Sequence, residues 1–301
     1  MYALLKPEYL WRPSQILRRL SFKASNDVAP LSLPWDCTIN ACSGEGIGRS
    51  IATQGIYDLP LTEAILRLTD PGETSLDAGA NIGYMTLLLA WCAGPGGRVI
   101  SFEPNPAVRR MLQNNVASWE TLSIAPIEIL SSALSDRDGE GFLGFPEGYD
   151  SNWGVASLEA PAGNLAVKLS RLDSIASESV GVMKVDVEGH EASVFQGAEN
   201  LLSSKRIRDI LFEEHETYPA RSHKLLLDHG YKIFKLTRSV FRPLLLAADA
   251  PARQSYLPSN FLATADPSRA QARFNAGGWF SLSSSRKIKR REVNGVPETI
   301  R

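Results

Sequence analysis

Residues 75–83 read Ser-Leu-Asp-Ala-Gly-Ala-Asn-Ile-Gly, after a short apolar segment and directly before an apolar helical run. Glycine lets the backbone turn tightly, and asparagine tolerates the left-handed conformation that such turns use. The spacing differs from the Gly-x-Gly-x-x-Gly turn of dinucleotide-binding domains, which places pyrophosphate on a helix N-terminus. Asp77 would repel a phosphate and would favour a cationic ligand such as the amino group of methionine. A purely structural tight turn is the alternative interpretation.

Around this turn, short apolar segments alternate with helical patterns. Strands are predicted over 74–77, 98–103, 124–130, 180–187, 207–213, 231–236 and 261–264, and helices over 84–93, 106–117, 191–202 and 222–229. Such alternation predicts βαβ units and a parallel sheet, and the continuous Val/Ile/Phe runs are typical of strands buried on both faces. The predicted fold class is therefore α/β, with a Rossmann-like, doubly wound, mostly parallel sheet.

Composition excludes several classes of protein. The formal net charge of −1 over 301 residues disfavours a nucleic-acid partner. No run of about 18 apolar residues exists, so no transmembrane segment is expected. The three cysteines, Cys37, Cys42 and Cys92, do not have the spacing of a disulfide framework or a zinc site, which favours a reducing, cytoplasmic setting. Basic residues near the N-terminus and at 286–291 are interpreted as solvated charge, with a nucleic-acid or lipid site as the alternative.

The chain is expected to have three parts. Residues 1–55 form an N-terminal extension or cap, residues 56–266 a Rossmann-like domain, and residues 267–301 a C-terminal tail. The long loop at 236–260 is expected to border an acceptor pocket. Four aromatic residues are candidates for stacking on a sugar, although core packing is an equally good interpretation: Trp35, Tyr149, Trp153 and Trp279.

Two further turns follow the second and third strands. Glu103, in Phe-Glu-Pro-Asn-Pro at 102–106, ends a strand where a carboxylate can accept hydrogen bonds from both hydroxyls of a ribose. Its alternative role is to cap the next helix. In Ala-Leu-Ser-Asp at 133–136, backbone groups and Asp136 can meet an adenine edge. A polar turn explains Asp136 nearly as well.

Charged residues crowd the end of the fourth predicted strand, where residues 183–191 read Met-Lys-Val-Asp-Val-Glu-Gly-His-Glu. Asp186 and His190 suit a base that removes a hydroxyl proton, and Glu188 would orient them. The same three side chains suit a divalent metal as an alternative, although no metal is predicted. An acid-rich helix N-terminus explains Glu191 but not the charges inside the apolar strand.

The next strand ends in Glu-Glu-His-Glu at 213–216. Carboxyl ends of parallel strands meet at one edge of the sheet, so these groups are expected to face the same site. Glu214 and His215 are the predicted acceptor-binding residues. A solvated loop is the alternative.

Together these motifs resemble the FkbM family of methyltransferases, over roughly residues 55–266. The resemblance implies a seven-stranded sheet whose last strand is antiparallel, and S-adenosylmethionine as cofactor. It also implies hydroxyl acceptors, often on sugars, glycolipids or polyketides. The cofactor-binding residues expected on this basis are Asp77, Gly79, Asn81, Gly83, Glu103, Asn105, Ala133, Asp136 and Asp186.

The predicted function is S-adenosylmethionine-dependent O-methylation of a small-molecule, sugar or glycolipid acceptor. Three rival hypotheses are a non-catalytic binding module that retains the fold, a nicotinamide-dependent oxidoreductase and a nucleic-acid methyltransferase. The near-neutral charge disfavours the last of these. Asp77 and the missing Gly-x-Gly-x-x-Gly turn count against the oxidoreductase. The acceptor and the oligomeric state do not follow from the sequence.

Overall fold

A computed structural model describes residues 6–145, 156–160, 163–176, 178–251 and 259–282. The helices are α1 Pro7–Leu10, α2 Ser14–Ser21, α3 Gly46–Gln54, α4 Leu59–Leu68, α5 Tyr84–Ala93, α6 Pro106–Ser118, α7 Glu191–Gln196, α8 Glu199–Ser203, α9 Arg221–Asp228 and α10 Pro267–Asn275. The strands are β1 Val28–Ser32, β2 Thr38–Cys42, β3 Thr74–Ala78, β4 Arg98–Phe102, β5 Ile127–Leu130, β6 Ala133–Leu134, β7 Gly139–Leu143, β8 Leu165–Ser170, β9 Val180–Val185, β10 Ile207–Glu214, β11 Lys232–Arg238, β12 Pro243–Ala247 and β13 Ser259–Thr264.

The largest sheet has eight strands in the order β12-β11-β13-β10-β9-β3-β4-β5. Strands β10, β9, β3, β4 and β5 run parallel, and β13 lies antiparallel between β10 and β11. The predicted Rossmann-like, mostly parallel sheet with an antiparallel last strand is therefore confirmed. The eighth strand, β12, comes from the segment predicted as a loop. A turn in which Ser239 and Arg242 are hydrogen-bonded pairs it with β11 as a hairpin.

The sheet is covered by helices on both faces, which gives two separate hydrophobic cores. Side chains alternate between the faces along each strand. Val182 and Leu211 pack with α4 and α5, whereas Met183 and Ile210 pack with α7 and α9. All ten residues of α5 are buried, because this helix is covered on every side. The strands read as continuous apolar runs because their side chains are buried on both faces of the sheet.

The single helix predicted over 191–202 is two helices, α7 and α8. At the break, a Cβ on Gly197 would lie 1.9 Å from the carbonyl oxygen of Ser135, so the backbone there packs against another segment. The carboxylate of Asp173 accepts hydrogen bonds from the amides of Asn200 and Leu201, and so caps the start of α8. Contacts distant in sequence, rather than local propensity, thus end the first helix.

The N-terminal 55 residues, for which no strand or helix is predicted from the sequence, contain helices α1 to α3 and the β1–β2 hairpin. Trp35 and Trp279 are both buried in the core, with Trp35 edge-on to Tyr84, so core packing is the correct interpretation for these two aromatics. Tyr149, Trp153 and the basic segment 286–291 lie outside the described residues. The division of the chain at 55 and 266 stays a prediction.

Two sequence expectations concern cysteines and membranes. Within the described residues, Cys37, Cys42 and Cys92 form no disulfide, and all three are buried. Within the ranges that the structure describes, none of the helices is both long and apolar enough to cross a bilayer.

A buried ion pair on α4 attaches the segment beyond 266 to the core. Arg67 and Glu63 are fully buried, with 3.2 Å between Arg67 Nε and Glu63 Oε2. The Arg67 guanidinium donates to backbone carbonyls at Arg273, Ala276 and Gly278, and Glu63 accepts from the amide and hydroxyl of Ser281. Both charges are therefore satisfied by chain that follows the predicted domain boundary.

We predict that Arg67→Met lowers the free energy of unfolding by about 3–5 kcal/mol, because Glu63 would remain buried without its partner. Urea denaturation measures this change. The exposed Arg110→Met is the control and is expected to change stability by less than about 0.5 kcal/mol. Equal stability of the two variants would show that the pair is not needed.

Candidate functional site

A cavity of about 390 Å³ opens at the carboxyl ends of β3, β4, β9 and β10. The chain runs outward from β3 to β4 and β5 on one side, and from β9 to β10 on the other. The strand order therefore reverses between β3 and β9, which is where ligands bind in open α/β sheets. The volume is within the usual range of ligand pockets.

The glycine-rich turn after β3 forms the floor of this cavity. Gly79 has φ of +77°, and a Cβ there would lie 1.9 Å from the carbonyl oxygen of Asp186, so no side chain fits. Asn81, at φ +50°, also lines the cavity, and its side chain accepts from the amide of Ile82. Gly83 precedes α5 and packs under Leu112, away from the cavity lining.

Asp77 lies beneath the turn, where it is fully buried and does not line the cavity. Asp77 and Lys184 are paired across β3 and β9, with 3.3 Å between Asp77 Oδ1 and Lys184 Nζ. Thr86 donates to the other carboxylate oxygen at 2.6 Å. The structure thus does not support direct contact of Asp77 with a ligand's amino group, because Lys184 already neutralises the carboxylate.

Lys184 connects this buried pair to the cavity wall. Its Nζ donates to the carbonyl of Gly79 at 2.7 Å and lies 3.5 Å from Asp186 Oδ2. Burial by itself would lower the pKa of Lys184, but the carboxylates of Asp77 and Asp186 outweigh it and raise that pKa. The lysine therefore stays charged and fixes both the turn and Asp186.

Glu103 lies at the cavity wall at the end of β4. Its two carboxylate oxygens accept hydrogen bonds from the amides of Asn81 and Asn105, each at 2.9 Å. Burial raises the pKa of Glu103 to about 7, although these two hydrogen bonds oppose the shift. Asn105 also lines the cavity, and its side chain caps α6 through the amide of Ala107. Each Glu103 oxygen keeps a second lone pair with which it can accept from a ligand hydroxyl.

An apolar wall faces Glu103. Ala133 belongs to it, and so do the side chains of Phe102, Leu134, Leu143 and Leu158. Asp136 does not line the cavity: it is 39% exposed and pairs with the neighbouring Arg137 at 3.1 Å. A planar apolar ligand group can therefore be enclosed here, but the predicted contact with Asp136 is not formed by the cavity as it stands.

Three carboxyl groups converge at the other end of the cavity, those of Asp186, Glu188 and Glu213. Burial, with the nearby charge of Asp186, raises the pKa of Glu188 to about 7. Burial, with the charges of Asp186, Asp58 and Glu188, raises the pKa of Glu213 to about 9. This end of the cavity therefore combines acidic charge with groups that take up or release a proton near neutral pH.

The backbone of Glu188 is in the left-handed region, at φ +53°, and the adjacent Gly189 is at φ +93°. The buried carboxylate of Glu191 accepts from the amides of Val187 and Gly189, which holds this loop against α7. A non-glycine residue in this conformation is strained, and such strain persists only where surrounding contacts enforce it. The loop is thus held in a shape that directs Glu188 to the cavity.

His190 lines the cavity, but both of its ring nitrogens already have partners. Nδ1 lies 2.6 Å from Glu159 Oε1, and Nε2 lies 3.0 Å from Ser135 Oγ. The Ser157 hydroxyl donates to the carbonyl of Glu188 in the same region. His190 therefore joins the 156–160 segment to the loop at 187–190, and neither nitrogen is free to take a proton from a ligand.

Strand alternation decides which acid of β10 faces the cavity. Leu211 is opposite Lys184, so Glu213 shares the face of Lys184 and Asp186 and lines the cavity. Glu214 is on the other face, where it is buried and bonded to Ser222 of α9. The sequence prediction therefore chose the wrong one of two adjacent acids. Side chains alternate between the two faces along a strand, and this alternation identifies Glu213 as the acid on the cavity face.

The other predicted acceptor residue, His215, does line the cavity mouth, with its Nε2 3.5 Å from Glu188 Oε2. Tyr57, which precedes α4, lines the same region and was not identified from the sequence, because no motif marks it. Among the described residues, no three His, Cys, Asp or Glu side chains are grouped so as to hold a metal ion.

Comparison with known families identifies the domain. The model of the family described as the methyltransferase FkbM domain matches residues 77–233, which include the glycine-rich turn, Glu103, the loop at 187–190 and β10. The chain belongs to this FkbM family. The predicted methyltransferase class and the predicted cofactor, S-adenosylmethionine, are thereby confirmed, and a nicotinamide-dependent oxidoreductase is excluded.

Several relatives of this FkbM-family chain are known. The 31-O-demethyl-FK506 methyltransferase FkbM of Streptomyces tacrolimicus is 29% identical over 243 residues, covering 69% of this chain and 91% of that protein. The AMB antimetabolite synthetase AmbE of Pseudomonas aeruginosa is 26% identical over 211 residues, and the chain spans only 10% of its length. A crystal structure of methyltransferase FkbM from Methylobacillus flagellatus has 17% identity and a TM-score of 0.42, covering 64% of this chain and 43% of that one.

We predict that Lys184→Met lowers the free energy of unfolding by about 3–5 kcal/mol, because it leaves Asp77 buried and unpaired. Asp77→Asn combined with Lys184→Met is expected to recover part of that loss. Urea denaturation of both variants measures the change, with the exposed Lys168→Met as control. If Lys184→Met were as stable as Lys168→Met, the buried pair would not hold the turn.

Proposed function

We propose that this FkbM-family chain transfers the methyl group of S-adenosylmethionine to a hydroxyl oxygen of a small-molecule, sugar or glycolipid acceptor. The observation that carries the proposal is the cluster formed by Asp186, Glu188 and Glu213 beside the Gly79 turn. An alcohol is a poor nucleophile near neutral pH, so its methylation gains from a positioned base. The cluster supplies carboxylates where such a base is needed.

The residues of the cavity fit the cofactor. The apolar wall suits an adenine ring, Glu103 suits ribose hydroxyls, and the acidic end suits a positive charge. S-adenosylmethionine, when bound, supplies its methyl group as an electrophilic carbon on a positively charged sulfur. We assign Gly79, Asn81, Glu103, Asn105 and Ala133 to cofactor binding. Asp77 and Gly83 support the turn from below, outside the cavity lining.

Within the acidic cluster we assign the role of base to Glu188. Its pKa of about 7 leaves it partly ionised at neutral pH, and His215 Nε2 at 3.5 Å can orient it. Lys184 keeps Asp186 beside it, and Glu213, with a pKa of about 9, stays protonated and can donate a hydrogen bond to an acceptor oxygen. The acceptor hydroxyl proton would pass to the Glu188 carboxylate as the oxygen takes the methyl group and the methyl carbon–sulfur bond breaks, which would leave a neutral thioether.

His190 is assigned a positioning role. Because Glu159 and Ser135 occupy both ring nitrogens, the imidazole holds the loop that carries Glu188 rather than acting on the acceptor. Alignment of the acceptor oxygen with the methyl carbon is itself a large part of the rate enhancement, on the order of 7–11 kcal/mol in favourable cases. Fixing this loop therefore matters to the rate without proton transfer to His190.

The cofactor assignment is tested by calorimetric titration with S-adenosylmethionine, with NADH and NADPH as negative controls. We predict that Glu103→Gln weakens S-adenosylmethionine binding by about tenfold, because one hydrogen-bond acceptor of the pair is lost. The exposed Glu120→Gln should bind as the unmodified chain does. Unchanged affinity in Glu103→Gln would remove Glu103 from the cofactor site.

Methyl transfer is tested with methyl-labelled S-adenosylmethionine and a panel of sugars, glycolipids and polyols. For any acceptor found, kcat/KM should rise with pH between about pH 6 and 8 and then level, because the base acts only when its raised pKa near 7 is exceeded. Glu188→Gln should lower kcat by about 10²–10⁴-fold and abolish this pH dependence. A full pH profile retained in Glu188→Gln would show that another group is the base.

A further inference from the structure

A basic groove opens beside the cavity, between the N-terminal helices and α3. We use this name for the concavity of about 610 Å³ whose charged lining residues are Lys6, Arg19 and Arg49. Lys6 precedes α1, Arg19 is on α2, and Arg49 is on α3. Three segments that are separate in the sequence thus bring three cationic side chains to one surface.

The positive charge of this groove is not neutralised by ion pairs. Among the described residues, no Asp or Glu lines the groove, and Lys6, Arg19 and Arg49 form no salt bridge. The guanidinium contacts of Arg19 and Arg49 are with a tyrosine hydroxyl and a backbone carbonyl, which are both neutral. Glu45, just before α3, is buried and directs its carboxylate to backbone amides at the start of that helix. An anion can therefore bind here without displacing a carboxylate partner.

The basic groove adjoins the cavity. Ile47 and Tyr57 line both, so they form the boundary between them. On one side of this boundary Asp186, Glu188 and Glu213 make the cavity acidic, and on the other side the groove is basic. A molecule that crosses the boundary meets opposite charge at its two ends. This division favours an acceptor whose reacting hydroxyl is uncharged and whose remote end is anionic.

Building on the proposed hydroxyl methylation, we infer that the acceptor carries an anionic group, a phosphate, sulfate or carboxylate, which binds to Arg19, Arg49 and Lys6. Its hydroxyl then reaches past Tyr57 to Glu188. Arginine binds such oxyanions with charge-assisted hydrogen bonds, often two at a time. The basic groove selects the acceptor by its charge, at a distance from the reacting oxygen.

The anionic group of the acceptor could belong to a soluble ester or to a lipid headgroup. The exposed face of α2 is relevant to which of these two it is. Leu17 and Leu20 of α2 are 70% and 79% exposed, whereas Gln15, on the opposite side of the helix, is buried. Helix α2 therefore directs apolar side chains to solvent beside Arg18 and Arg19, the arrangement found where a helix rests on an anionic bilayer. The experiment has one arm for each source.

The first arm titrates the full chain with glycerol 3-phosphate in a calorimeter. Arg49→Gln and Arg19→Gln should each weaken binding by about tenfold, because each removes charge-assisted hydrogen bonds. Arg110→Gln, an exposed arginine on α6, is the matched control and should bind as the unmodified chain does. Arg49 is exposed on α3, so Arg49→Gln tests the groove even if Arg19→Gln disturbs α2.

The second arm measures co-sedimentation with phosphatidylcholine vesicles that contain or lack phosphatidylglycerol. If the anion is borne on a lipid, binding requires phosphatidylglycerol, falls about tenfold in Arg49→Gln, and falls in Leu17→Ser combined with Leu20→Ser. That apolar variant should leave glycerol 3-phosphate binding unchanged. Binding in the first arm alone identifies a soluble acceptor, and binding in the second arm alone a lipid-borne one.

The inference is overturned if Arg19→Gln and Arg49→Gln behave as Arg110→Gln does in both arms, or if neither probe binds saturably. S-adenosylmethionine affinity, measured on the same samples, should be equal in all of these variants, because no groove cation lines the cofactor end of the cavity. If the unmodified chain does not bind S-adenosylmethionine, the proposed function is contradicted. If it binds S-adenosylmethionine but neither anionic probe, only this inference is contradicted.

Discussion

The buried ion pair between Asp77 and Lys184 is the interaction on which the rest of the site depends. It joins β3 to β9 at the point where the strand order reverses, and the same ammonium group holds the carbonyl of Gly79 and the carboxylate of Asp186. A buried charge is costly unless it is paired and hydrogen-bonded, and here Thr86 and the turn carbonyl complete the set. The pair thus couples the centre of the sheet to the shape of the cavity.

Built on that pair, the cavity divides into two ends with different chemistry. Around Glu103, the carboxylate and the apolar wall provide a hydrogen-bond acceptor and a shape that need no proton transfer. At the far end, burial and mutual repulsion raise the pKa values of Glu188 and Glu213, so that protons move near neutral pH. Glu191 and His190 hold the intervening loop from beneath, which fixes the strained backbone of Glu188.

The chain on either side of the central sheet completes the site. The segment before α4 provides Tyr57 and the lining of the basic groove, so this part of the chain builds the surface beside the cavity. At the other terminus, the Glu63–Arg67 pair fastens the chain beyond α10 to α4. Helix α2 packs on α3, and α10 packs on α4. Of these helices, α3 contributes Ile47 to the cavity lining.

The sequence by itself determined the α/β class, the glycine-rich turn and the order of most strands and helices between β3 and β11. These follow from patterns within a few residues, namely alternation of strand and helix, the spacing around Gly79, and acids at strand ends. The same local patterns identified Glu103, Asp186, Glu188 and His215 as cavity residues, and the structure places all four there.

Only the tertiary structure decided how each of those groups is used. The strand register buries Asp77 against Lys184 and puts Glu213, not Glu214, on the cavity face. Glu159, 31 residues earlier in the chain, is hydrogen-bonded to a ring nitrogen of His190. The β11–β12 hairpin adds an eighth strand to the sheet. The basic groove exists only because α1, α2 and α3 fold together. Each of these outcomes depends on which distant segments pack against one another, and no pattern within a short stretch of sequence specifies that.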